Sequence, residues 1–139
     1  MEPILRREMI LDHYHHPKNK GLIEDDRYIK INTNNESCID NLDIMYRIED
    51  GVIEDIRFDG DACAISTSAT SVMISTIIGK NKEDALKIIE NYENMIHERE
   101  YDAEILGELV LYDEIYKQPN RKNCALLPFE SLKKAINRM

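Results

Sequence analysis

The sequence predicts an α+β protein in which a three-stranded antiparallel β-sheet packs against several helices. Between residues 28 and 58 apolar side chains recur with the period of two that marks a strand buried on one face. Residues 3 to 14, and the chain beyond residue 66, carry the i,i+4 spacing of helices instead. The dipeptide Asp50-Gly51 between two alternating runs is a short hairpin signal, which makes the strands neighbours in a meander.

In the first helix, residues 3 to 14, Leu5 pairs with Met9 and Ile10 with Tyr14; the pattern stops before His16-Pro17, because proline disfavours helix in its predecessor. Asn19-Lys20-Gly21 reads as a turn. The first strand begins at Tyr28 with Ile29 and Ile31 on one face. In the second, Leu42, Ile44, Tyr46 and Ile48 share a face, and in the third Ile56 and Phe58 do. The stretch "GDACAISTSATSV" then opens on a turn-like Asp59-Gly60-Asp61 and runs into a helix that Ser66 caps and Gly79 closes. Serine, threonine, valine and isoleucine are weak helix formers, so packing must hold this helix and it should be buried. Asn81 caps the next helix, with Ala85, Leu86 and Ile89 on its apolar side. Residues 93 to 104 are charge-rich and read as an added segment that interrupts the pattern, with the charge run at 97 to 104 solvated, after which "ILGELVLYDEIY" resumes the helical pattern. The last helix begins around Ala125, since Pro128 is tolerated in a first turn, and this leaves Cys124 at its mouth.

Composition bounds the partners. A chain of 139 residues with 42% hydrophobic content is expected to form one domain, residues 1 to 139, around a single core. A net charge of −9 argues against nucleic acid and favours docking to a more basic protein. The N-terminus has no apolar leader and the longest apolar run, "VMISTII", is too short for a bilayer, so no membrane role and a cytoplasmic location are expected. The 3 cysteines are an odd count in a chain that can fold without crosslinks, which reads as reduced thiols.

Each cysteine falls at a junction of elements. Cys38 and Asp40 are two apart, and if the register of the strand beginning at Leu42 extends back to them, both are expected on the face of Leu42 and Ile44 that the helices should cover. Cys63 ends the third strand just before a helix, where a thiolate is favoured by the helix dipole, and Cys124 precedes the last helix in the same manner. Three thiols and one carboxylate make a four-ligand set suited to zinc or iron-sulfur chemistry. The carboxylate is the vertex easiest to exchange, so such a site could free a thiolate to attack a sulfur donor. The same residues also admit a plain reading, since free cysteine often behaves as a small core hydrophobe and Cys124 lies in the apolar run "CALLPF". His13, His15 and His16 are read as solvent-facing, and Arg121 by itself as a solvated loop charge.

Four ordered motifs resemble the U-type iron-sulfur cluster assembly family, which includes IscU, SufU and the NifU N-terminal domain. They are "ILDHYHHPKNKG", Cys38-x-Asp40, "GDACAISTSATSVM" around Cys63 and "RKNCALL" around Cys124, and together they span nearly the whole chain. The resemblance implies a SufE/IscU-like fold. The long interval between Cys63 and Cys124, Asn123 in place of the IscU histidine, the missing Leu-Pro-Pro-Val-Lys chaperone motif and Arg121 all point to the SufU branch. The resemblance therefore implies zinc held by Cys38, Asp40, Cys63 and Cys124, with Cys38 accepting persulfide sulfur from a SufS-type cysteine desulfurase and Arg121 guiding it. The alternative it implies is a scaffold that builds a [2Fe-2S] cluster from iron on the same ligands and passes it to downstream iron-sulfur assembly proteins; a third, weaker alternative is a structural zinc module that only binds partners. The chain departs from the family pattern at Ile39 and Ala62, where glycines are usual, and at Phe129, where tryptophan is.

Overall fold

The computed structural model describes residues 1–35 and 39–139. Strands β1 (Tyr28–Asn34), β2 (Asn41–Glu49) and β3 (Val52–Asp61) form an antiparallel sheet in the order β1-β2-β3. Four α-helices are present among the described residues: α1 (Pro3–His15), α2 (Ala64–Ile77), α3 (Lys82–Ile96) and α4 (Pro119–Ile136). None of the described helices is long and apolar enough to cross a membrane.

The meander forms as the alternation predicts. Ile44 stands opposite Ile31 on one side and Phe58 on the other, and all three are buried. Asp50 and Gly51 take φ values of 52° and 74°, the left-handed pair that a two-residue hairpin turn requires. A register shift between Arg47 and Ile48 puts an extra residue into β3, which returns Ile53 to the buried face shared by Ile56 and Phe58. Asp59-Gly60-Asp61 is not a turn but the end of β3. Gly60, at φ 133°, lets the Asn41 backbone approach so closely that a Cβ here would lie 2.2 Å from the Asn41 carbonyl oxygen.

Helix α2 is the centre of the helical layer, packed between α1 and α4. Residues 66 to 74 are all buried, as its weak propensity demands. Several of its hydroxyls are satisfied within the helix: Thr70 Oγ1 donates to the Ser66 carbonyl at 2.7 Å and Thr76 Oγ1 to that of Val72 at 2.9 Å. Gly79, at φ 89°, ends it. In α3 the Asn81 side chain accepts from the Asp84 N–H at 2.9 Å. The buried stripe is Ala85, Ile88, Ile89 and Tyr92, while Leu86 is exposed; a step of 100° per residue keeps i, i+3, i+4 and i+7 on one face and turns i+1 away.

Three boundaries differ from expectation. Residues 93 to 96 still belong to α3 because Met95 and Ile96 are buried, so the interruption begins at His97, and the charge run from His97 to Glu104 is exposed as expected. The apolar pattern that follows folds as 3₁₀ turns at Ala103–Ile105, Gly107–Tyr112 and Ile115–Lys117 rather than as an α-helix. Helix α4 starts at Pro119, not near Ala125, so Cys124 lies in its second turn and Pro128 sits inside it. Pro119 already supplies the proline suited to a first turn, and buried contacts of Leu127, Phe129 and Leu132 hold the helix through the second one.

Aromatic side chains join the layers. Phe129 stacks on Tyr92 with centroids 4.2 Å apart. Tyr92 donates to the Ala125 carbonyl at 2.8 Å, Tyr46 pairs with Ser131 at 2.8 Å, and Tyr112 donates to Ser68 at 2.7 Å. Burial pushes all three phenols up from their ordinary pKa, which keeps them as protonated donors. His13 is not solvent-facing: its Nδ1 is 2.8 Å from Ser71 Oγ and its Nε2 2.7 Å from Glu108, tying α1 to α2 and to the Gly107–Tyr112 turn. His15 and His16 are exposed.

Candidate metal centre

Asp40 immediately precedes β2 and is 1% exposed. Its position follows from the strand: Asn41 pairs with Asp61 at the end of the sheet, which carries the preceding carboxylate to the mouth of α2. There Asp40 Oδ1 accepts the Cys63 backbone N–H at 2.7 Å, and Oδ2 accepts the Ser66 hydroxyl at 2.6 Å. Two hydrogen bonds fix both oxygens of a buried carboxylate, which keeps its desolvation tolerable.

Cys63 is itself the N-cap of α2, and its Sγ accepts the Ser66 N–H at 3.4 Å. Ser66 is therefore not the cap; it lies in the first turn with its hydroxyl turned to Asp40. The helix points the positive end of its dipole at the sulfur. Cys124, 2% exposed, reaches the same place from α4.

One donor atom from each of Asp40, Cys63 and Cys124 lies within 4.8 Å of the others. Cys63 Sγ and Asp40 Oδ2 are 3.7 Å apart. In a tetrahedral zinc shell with bonds of about 2.3 Å to sulfur and about 2.1 Å to oxygen, that separation is about 3.6 Å. The donor set thus fits a zinc ion in its chemistry, and the Cys63–Asp40 pair fits one in spacing, with a Cys124 donor within 4.8 Å of both. Two soft sulfurs and one hard oxygen also suit an iron-sulfur cluster with an exchangeable vertex.

Of the residues singled out in the sequence, three are brought together. Cys38 lies outside the described residues. Ile39 is 77% exposed beside the site. Arg121 stands one turn before Cys124 on α4, exposed and without an ion pair to any described residue. Sequence reasoning missed the roles of Ser66 and Gly60. The serine three residues after Cys63 was visible as a capping spacing, but a hydroxyl aimed at a residue 26 positions away leaves no local signal.

The family model for the NifU-like N-terminal domain matches residues 5–125. The chain is 35% identical over 133 residues to the zinc-dependent sulfurtransferase SufU of Bacillus subtilis, covering 95% of this chain and 89% of that protein. It is 33% identical over 132 residues to the iron-sulfur cluster assembly scaffold protein IscU of Thermotoga maritima, covering 95% and 92%. Among solved structures, a Fervidobacterium islandicum protein proposed as an iron-sulfur cluster assembly scaffold of the SUF system superposes with a TM-score of 0.87 at 36% identity, over 93% of this chain and 94% of that one.

Proposed function

The chain belongs to the NifU-like N-terminal domain (IscU/SufU) family of iron-sulfur cluster assembly proteins, and we propose that it serves there as a zinc-dependent sulfur acceptor for a SufS-type cysteine desulfurase. The observation that supports this most is the convergence of Asp40, Cys63 and Cys124 on one point. In this reading Cys38 completes the ligand set and residues 1 to 139 act as one assembly domain. Zinc, when bound, supplies a positive charge that keeps the coordinating thiols deprotonated.

The chain's own groups do the rest. Asp40 is held by the Cys63 amide and the Ser66 hydroxyl, so its carboxylate is presented rather than left to wander. A carboxylate among thiolates is the weaker partner for a soft metal, which allows the ligand set to change while Cys63 and Cys124 stay in place. The Cys38 thiolate then attacks the outer sulfur of the desulfurase persulfide; the S–S bond breaks and the desulfurase cysteine departs as a thiolate. Arg121, exposed one turn from Cys124, is positioned to pair with a partner carboxylate or draw in the anionic persulfide. The net charge of −9 suits docking to a basic desulfurase surface.

The second reading, a scaffold that assembles a [2Fe-2S] cluster on the same residues and hands it to downstream assembly proteins, is supported by the name of the Thermotoga relative. One set of assays separates the readings. With a matching desulfurase and a thiol, the intact chain should raise alanine formation, and Cys38→Ala should not. Asp40→Cys should retain zinc yet lose the stimulation, because a fourth thiolate closes the exchangeable vertex; full stimulation by Asp40→Cys would overturn the exchange step, as a purely structural zinc predicts. No stimulation by the intact chain, together with cluster transfer to an apo-ferredoxin after anaerobic reconstitution, would replace sulfur transfer with the scaffold reading.

A further inference from the structure

Ser66 touches all three described residues of the candidate centre. Its fully buried hydroxyl lies 2.6 Å from Asp40 Oδ2, 3.0 Å from the Cys124 carbonyl oxygen and 3.6 Å from Cys63 Sγ. The Cys124 contact has a covalent origin. In an α-helix the amide four residues on donates to each carbonyl, and the residue four beyond Cys124 is Pro128, which has no N–H to give. The hydroxyl of Ser66, on the neighbouring helix α2, donates at that position instead.

We infer that Ser66 is the positioning residue of the centre, coupling the Asp40 loop to the Cys124 turn of α4, and that Pro128 creates the place where this coupling is made. The inference rests on the metal reading above and adds to it a residue outside the ligand set. A serine hydroxyl has one proton, and here it is shared between a carboxylate and a carbonyl carried by two elements far apart in the chain. Both elements are thereby referenced to a single oxygen, which sets the separation of the carboxylate from the sulfur of Cys124. A partner of this kind beyond the ligands governs affinity through their orientation, and losing it costs about 10- to 100-fold in metal binding.

Zinc affinity, read by competition with a chromophoric chelator, tests the Asp40 half. Ser66→Ala is expected to bind Zn²⁺ about 10- to 100-fold more weakly than the intact chain, and an unchanged dissociation constant would overturn the inference. The Cys124 half is read without metal, from thermal midpoints of a four-member cycle. Ser66→Ala in the Pro128 chain leaves the Cys124 carbonyl without the hydroxyl and should lower the midpoint by about 5 °C. In a Pro128→Ala chain the helix's own amide serves that carbonyl, so the same replacement should lower the midpoint by roughly half as much, while the loss of zinc affinity persists. Equal midpoint losses in the two backgrounds would overturn the coupling. If Ser66→Ala folds only in the Pro128→Ala background the coupling stands, and if it folds in neither the coupling is refuted. Failure of the intact chain to bind Zn²⁺ would instead refute the metal reading, and the metal-free cycle would still decide the role of Ser66 at Cys124.

Discussion

Replacement of Cys63 by alanine is expected to weaken zinc binding by two to three orders of magnitude while leaving the metal-free fold nearly intact. Structural zinc sites with four protein ligands are worth about 10–16 kcal/mol at neutral pH, so one ligand carries about 3–4 kcal/mol of it. Against that, the loss to the fold is small. Cys63 is only half-buried, and its sulfur caps α2 through one long contact of 3.4 Å from the Ser66 N–H. Removing such a cap costs about 0.5 kcal/mol, at the weak end of helix capping. Thermal unfolding with and without zinc separates the two terms. The intact chain should gain stability as free zinc rises above its dissociation constant, and Cys63→Ala should gain none at the same concentration. A zinc-dependent rise in midpoint equal to that of the intact chain would remove Cys63 from the ligand set.

Gly60→Ala is expected to be the most destabilising single-methyl change in the sheet. At φ 133° a Cβ is strained whatever the surroundings, and here it would also stand 2.2 Å from the Asn41 carbonyl oxygen, a backbone atom that cannot rotate away. Relief requires the ends of β2 and β3 to separate, at a cost of about 3 kcal/mol or more, which is about 10 °C in midpoint for a chain of this size. Because Asn41 adjoins Asp40, the same displacement should carry the carboxylate away from Cys63 and weaken zinc binding. Gly107→Ala is the matching control: its φ of 54° is strained, but no atom lies within 4 Å of the added methyl. It should cost about 1 kcal/mol and leave zinc affinity unchanged. Equal effects of the two replacements would show that conformational strain alone, and not the approach of β2, matters at Gly60.

The contrast between these glycines shows where the sequence was legible. The meander could be read directly because strand alternation and the Asp50-Gly51 turn are local signals: Ile31, Leu42, Ile44, Tyr46, Ile56 and Phe58 are buried as assigned, while Ile29 and Ile48 are only partly covered and Met45 is buried on the opposite face. The sharing of one place by Asp40 and the later cysteines could be expected from their positions at the ends of elements, but not demanded: a cysteine in "CALLPF" is equally at home in a core. What decided the geometry is tertiary. Pro128 suggested a late start for α4, yet packing of Leu127, Phe129 and Leu132 overrides the missing hydrogen bond. Leu86 and Ile88 are equally apolar, and only the true phase of α3 selects Ile88 for burial. His13 looked like part of an exposed histidine run because its partners, Ser71 and Glu108, lie 58 and 95 residues away. The apolar stretch after the charged segment has helical spacing, but its close-set turns fold as 3₁₀.

If sulfur and oxygen from distant parts of the chain bind one zinc ion together, X-ray absorption at the zinc edge of the loaded protein measures that shell directly. The expected spectrum is one zinc per chain with three sulfurs at about 2.3 Å and one oxygen at about 2.0–2.2 Å, and loss of the oxygen in Asp40→Ala. A shell of nitrogen and oxygen alone, or four sulfurs, or a spectrum that Asp40→Ala leaves unchanged, would contradict it.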